Sequence, residues 1–117
     1  MELFEAPAFT QYLYDYLDEE QYRELQLWLV NDPESGDVMP GTGGFRKLRW
    51  ADSRRGKGRR GGLRVIYYYC AADQEIWLMM LYGKDEADDL NASEKKALKT
   101  AIEKEAAARA ARRLSGR

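Results

Sequence analysis

The chain has 117 residues, 44% hydrophobic, 33% charged and 12% aromatic, with a formal net charge of -1, the size and composition of a single globular domain spanning 1–117. It has no histidine and one cysteine, which excludes imidazole-based triads, His-ligated zinc and any internal disulfide, and leaves Lys, Arg, Tyr and carboxylates as the groups available for catalysis. No apolar stretch approaches the ~18 residues needed to cross a bilayer, and the opening MELFEAPAF lacks the cationic lead of a signal peptide, so a soluble cytoplasmic protein without cofactor is expected.

Met1 to Phe4 reads as a short first strand. Phe9, Leu13 and Tyr16 lie at i, i+4 and i+7, one apolar face of a helix starting near Pro7. Asp18 and Gln21 have the spacing of a capping box, so a second helix begins there, with Tyr22, Leu25, Trp28 and Leu29 as its buried stripe and Pro33 as its stop. From Pro33 to Gly44 the glycines and prolines predict a loop. FRKLRW then alternates as a strand should: Arg46, Leu48 and Trp50 face one way, and Phe45, Lys47 and Arg49 the other. Residues 51–62 read as a long, mobile, glycine-rich turn. LRVIYYYC (Leu63–Cys70) and EIWLMMLY (Glu75–Tyr82) have the β-branched and aromatic character of central strands. In the first of these, Arg64, Ile66 and Tyr68 share one side while Val65, Tyr67 and Tyr69 share the other. Cys70, at its end, reads as a small buried residue. Asn91 and Glu94 form a second capping box before a long helix whose packing stripe is Ala97, Leu98, Ala101 and Ile102 and whose end, poor in apolar bulk, is expected to fray.

The predicted fold class is therefore α+β, in the order β-α-α-β-β-β-α: an antiparallel sheet with an N-terminal helical hairpin on one face, and a C-terminal helix.

The near-neutral total charge hides a segregation along the chain. Residues 1–40 carry a net charge of -9, residues 41–64 carry +8, and the remainder is balanced. A block of this density attracts polyanions, and its seven arginines against two lysines favour bidentate phosphate contact over mere solubility. The plain alternative is that the acidic segment neutralises the basic one, or that the block is a solvated turn.

One chemistry suits lysine and arginine on a strand face without imidazole or metal: RNA transesterification, in which the substrate's 2′-hydroxyl is the nucleophile. The protein then supplies a base, cations for the charge growing on the scissile phosphate, and an acid for the departing 5′-oxygen. Lys47, flanked by Arg46 and Arg49, meets the condition for a lysine base, because neighbouring cations favour its neutral form. Tyr82, at a strand end beside Lys84, is the tyrosine best placed for function; Tyr67 to Tyr69 are expected to be mostly core. The acidic run Asp85–Asp89 reads as charge stabilisation at a helix start rather than as a metal site.

GDVMPGTGGFRKLRW, GKGRRGGLRVIYYY and LYGKDEADDLNASEKKAL together resemble the RelE-like toxins of bacterial toxin–antitoxin systems, and among them the HigB branch. The resemblance covers nearly the whole chain, including the downstream Y-G-K-x-E-x-x-D-L-N segment. It implies a small RelE-like fold and a ribosome-dependent endoribonuclease that cuts mRNA in the decoding site. It further implies a HigA-like helix-turn-helix antitoxin as partner, the ribosome and mRNA as targets, and a toxin that is monomeric outside the antitoxin complex. By position, Lys47 and Arg49 match the family's alternating basic pair. Arg64 matches the arginine that contacts the scissile phosphate, and Lys84 falls beside the basic position at the end of the last strand. Asp85 stands where arginine occurs in the better-known pattern, which leaves the acid to Lys84, to Tyr82 or in part to the ribosome. Arg46, Arg49, Arg54, Arg55, Lys57, Arg59 and Arg60 are assigned to RNA binding. Two other classes compete: a non-catalytic ParE-like toxin acting on DNA gyrase, or a protein that only docks on ribosomal RNA. Sequence-specific DNA binding ranks last, since the basic residues lie on a strand and turn and not on a recognition helix.

Overall fold

A computed structural model of the chain describes residues 1–52, 59–87 and 89–115, with 59–61 described by their backbone. The described elements are β1 (Glu2–Glu5), α1 (Pro7–Tyr16), α2 (Glu19–Asn31), β2 (Asp37–Val38), β3 (Arg46–Asp52), β4 (Arg59–Cys70), β5 (Glu75–Gly83) and α3 (Ala92–Ser115). The architecture is α+β, with these helices on a mixed sheet ordered β1-β5-β4-β3-β2.

Strands β2 to β5 pair antiparallel, but β1 runs parallel to β5, with Leu3 opposite Ile76. The expected all-antiparallel sheet is thus corrected. β1 and β5 are far apart in sequence, so no tight turn constrains their relative direction. Two further differences concern the loops. Asp37 and Val38, inside the predicted Pro33–Gly44 loop, pair with Lys47 and Arg46 as a short edge strand. The turn at 51–62 is also shorter than predicted, because Asp52 pairs with Arg59 and both strands run into it. The expected mobility of its centre lies outside the described residues.

The two faces of the sheet carry separate cores. Phe9 and Leu13 of α1, Leu17, and Tyr22, Leu25 and Leu29 of α2 pack on Leu48, Val65, Tyr67, Ile76 and Leu78. Pro7 opens α1 at a position whose amide needs no partner, and the Asp18–Gln21 capping box opens α2 through reciprocal bonds of 2.8 and 2.9 Å. Trp28 leaves the predicted buried stripe. It is 50% exposed and meets Trp50 edge-on at 5.9 Å, at the margin of this core. On the opposite face, Leu98 and Ile102 of α3 pack with Leu90, Met39, Phe45 and Ile66. The alternation read along FRKLRW and LRVIYYYC accounts for which residues enter which core.

Helix α3 departs from its predicted stripe, because Ala97 and Ala101 are exposed. The helix continues past Ile102 to Ser115. Arg109 reaches Asp73 and Glu75 at the β4–β5 turn, bonds Glu105 at 3.1 Å, and lays its guanidinium 4.5 Å from the centre of the Trp77 ring. A clamp of charge and stacking thus replaces apolar bulk along the distal half. Cys70 is partly exposed and donates its thiol to Asp73 at 3.3 Å, so it is not the buried filler expected. Among the described residues, no helix is long and apolar enough to cross a membrane.

Candidate functional site

The strand registers bring residues predicted for catalysis and for RNA binding together. Arg49 of β3 is directly opposite Arg64 of β4, and Arg64 is directly opposite Tyr82 of β5. Cross-strand partners share a face, with β-carbons about 4.5–5.5 Å apart. The three side chains therefore form one row across three strands. Lys47 is two residues before Arg49, on the same face of β3 and one step behind the row, opposite Ile66. This is the α3 face: Ile66 and Tyr82 both belong to its core, and the row lies beyond the amino-terminal end of the helix.

Burial differs along the row. Arg49 is exposed, whereas Arg64 is only 6% exposed, a charge held inside the fold and not free in solvent. The Tyr82 hydroxyl is buried and has no hydrogen-bond partner among the described residues. Burial, and after it the charge of Asp89, push its pKa up while Arg64 opposes, so the phenol keeps its proton.

Lys47 does not stand among cations alone. Its Nζ is 3.5 Å from Oδ1 of Asp89, whose Oδ2 is 3.4 Å from Nζ of Lys95 on α3. Burial tends to raise the Asp89 pKa, but the Leu90 N–H at 2.8 Å and the two lysines outweigh it and hold the carboxyl below the usual range. The reading of the acidic run as helix-start stabilisation thus misses what Asp89 does: it closes an ion bridge between β3 and α3. The helix start itself is served by Asn91 and Glu94, whose reciprocal bonds measure 2.8 and 2.9 Å.

The remaining predicted residues divide. Lys84 is exposed in the turn after β5, with its N–H on the Gly62 carbonyl at 2.8 Å, which keeps it at the row's end of the sheet. Arg46 faces the other way, as the alternation requires. Its guanidinium bonds the carbonyls of Glu34 and Gly36 at 3.1 and 2.8 Å and pairs with the Glu34 carboxylate, which anchors the loop before β2 and leaves Arg46 out of the row. Arg54, Arg55 and Lys57 lie outside the described residues, as do the side chains of Arg59 and Arg60. Asp89 and Lys95 are the residues that reading the sequence missed. A cation at the first turn of a helix, where the dipole disfavours it, is the signal that could have marked Lys95.

Chemically, one face of the sheet gathers the exposed Arg49 guanidinium, the buried Arg64 guanidinium and a buried, protonated phenol, with the Lys47 ammonium beside them. These are the groups that anion binding and proton transfer at a phosphodiester require.

No protein-family model matches the chain. Among solved structures, it is similar to a chain of the intact E. coli RelBE toxin–antitoxin complex, at 14% identity and a TM-score of 0.49, over 69% of this chain and 93% of that one. The chemistry of the site rests on its own residues.

Proposed function

We propose that this chain is the toxin of a toxin–antitoxin pair: a metal-independent, RelE-like endoribonuclease of the HigB branch that cuts translated mRNA in the ribosomal A site and is neutralised by a HigA-like antitoxin. The observation that carries this reading is the register that aligns Arg49, Arg64 and Tyr82, with Lys47 beside them, at the positions where the sequence resembles the family's basic motif. The 2′-oxygen of the message attacks the adjacent phosphorus, the bond to the 5′-oxygen breaks, and a 2′,3′-cyclic phosphate and a 5′-hydroxyl result. Arg64 and Arg49 neutralise the charge that grows on the non-bridging oxygens. Lys47, once its own proton has been released to solvent, takes the proton of the 2′-hydroxyl as a neutral amine, and Tyr82 or Lys84 supplies one to the departing oxygen. The exposed side of the row, at Arg49 and Lys84, is where the message enters.

Mapping of message ends in cells expressing the intact chain tests this. Breaks lying in frame within translated regions, and lost with Lys47→Ala and Arg64→Ala, are expected. Intact messages accompanied by inhibited supercoiling would transfer the assignment to a gyrase-directed toxin. Lys47→Ala is the decisive variant, since the lysine is less deeply placed than Arg64 and its loss leaves both cores untouched.

A further inference from the structure

The bridge formed by Asp89 has a meaning of its own. Its two oxygens each meet an ammonium from a different element, Lys47 on β3 at 3.5 Å and Lys95 on α3 at 3.4 Å. A carboxylate so placed presents what a phosphodiester presents, two anionic oxygens on one atom with a single negative charge. The exposures are unequal: the side chain of Asp89 is 43% exposed, against 25% for Lys47 and 26% for Lys95. The cations are thus set deeper and the acid lies at the mouth.

The anchoring is unequal too. Lys47 is fixed by a strand paired on both sides, and Lys95 by a helix capped at Asn91 and buried through Leu98. Asp89 precedes the helix, and among the described residues its other hydrogen bond is accepted from the amide of its neighbour Leu90. It can leave without unpacking either core. Nearby, the buried Tyr82 hydroxyl lacks a partner among the described residues, a cost that native structures seldom leave uncompensated. A hollow of about 490 Å³ beside Lys95, lined also by Gly41, Lys96, Lys99 and, at its far end along α3, the single carboxylate of Glu103, extends the surface with three lysines against one acid.

We propose that Lys47 and Lys95 form a phosphodiester subsite that Asp89 fills in the free protein, so that RNA binds by displacing this carboxylate. The inference builds on the ribonuclease reading and adds Lys95 and Asp89 as the elements that regulate access to its phosphate site. Asp89 acts as a built-in competitor, lowering apparent RNA affinity by the fraction of molecules in which it occupies the subsite.

The test is binding of a short, fully 2′-O-methylated single-stranded RNA, which keeps its phosphates but cannot undergo transesterification, measured by fluorescence anisotropy across salt concentrations. Asp89→Asn retains the oxygen that accepts from Leu90 and removes the charge. It should tighten binding several-fold and steepen the slope of log K against log salt by about 0.7 for each phosphate gained. Adding Lys95→Ala to that variant should return both affinity and slope toward the starting values. Unchanged or weaker binding by Asp89→Asn, in a variant whose thermal melt matches the parent, overturns the proposal, as does indifference to Lys95→Ala. Because the probe cannot be cut, the result is independent of catalysis. Message cleavage without these shifts would leave the ribonuclease standing and the subsite refuted, and shifts without cleavage would do the reverse.

Discussion

Tyr67→Phe removes one oxygen from the centre of the larger core, and the structure sets the cost. The Tyr67 side chain is 0% exposed, and its hydroxyl makes two bonds, donating to the Pro33 carbonyl at 2.7 Å and accepting from the Gly36 amide at 2.9 Å. The ring itself keeps its packing in the variant, so the loss is confined to these polar partners. The Gly36 amide is buried and is left unsatisfied, at about 1–3 kcal/mol, while loss of the part-buried bond to the Pro33 carbonyl adds about 1 kcal/mol. The total is about 2–4 kcal/mol, and at roughly 4 °C per kcal/mol for a chain of this length the melting temperature should fall by about 8–16 °C. Chemical denaturation supplies the free energy and a thermal scan the shift. The exposed Tyr14→Phe is the control, expected within about 0.5 kcal/mol of the parent. A loss below about 0.5 kcal/mol for Tyr67→Phe would refute the reasoning that this hydroxyl ties the Pro33–Gly36 loop to the sheet and so holds β2 against Lys47.

Gly36→Ala should damage the same junction from the other side. A β-carbon there comes to 2.8 Å from Cε1 of Tyr67 and 3.1 Å from the Lys47 carbonyl carbon, so a loss of about 1–3 kcal/mol is expected, non-additive with Tyr67→Phe in a double-mutant cycle. Ile102→Ala removes one of two buried side chains on α3, with an expected cost of about 2–4 kcal/mol by denaturation and faster amide exchange along the helix. The clamp at Arg109 predicts a pH dependence. Hydrogen bonding from Arg109 holds the Asp73 carboxyl below its usual range, and bonding from Arg112 and Arg109 does the same for Glu105. Depressed carboxyl values stabilise the fold above the unfolded pKa of about 4, and that contribution is lost as pH falls through the folded values. Hydrogen-exchange protection of 103–115, corrected for intrinsic rates, should therefore be present at neutral pH and lost in acid, and Arg109→Gln should lose it at neutral pH; equal protection throughout would remove the clamp.

What the sequence made legible is tied to period and local chemistry. The two-residue alternation of FRKLRW placed Lys47 and Arg49 on the face opposite Arg46, and the same rule placed Arg64 with Ile66 and Tyr68. Both capping boxes were legible because their partners lie three residues apart. Contacts between distant segments were not. The parallel pairing of β1 with β5, the seating of Arg109 on Asp73 and Glu75, and the bridge from Lys47 through Asp89 to Lys95 each join segments whose proximity no local pattern encodes. Trp28 illustrates the limit of periodicity: its spacing matches the buried stripe of α2, yet it is half exposed, meeting Trp50 edge-on and donating its indole N–H to the Ser35 hydroxyl. The row Arg49–Arg64–Tyr82 lies between these extremes, since each face was predictable and the register that aligns them was not.

The most direct measurement is the chemistry of the cut ends. Translating ribosomes supplied with the purified protein, quenched into chelator and analysed by end-specific ligation, should yield fragments with 2′,3′-cyclic phosphate and 5′-hydroxyl termini. Both should vanish with Lys47→Ala, while ribosome binding by that variant persists. Fragments ending in 3′-hydroxyl and 5′-phosphate, or undiminished cutting by Lys47→Ala, would contradict cleavage by this cationic row.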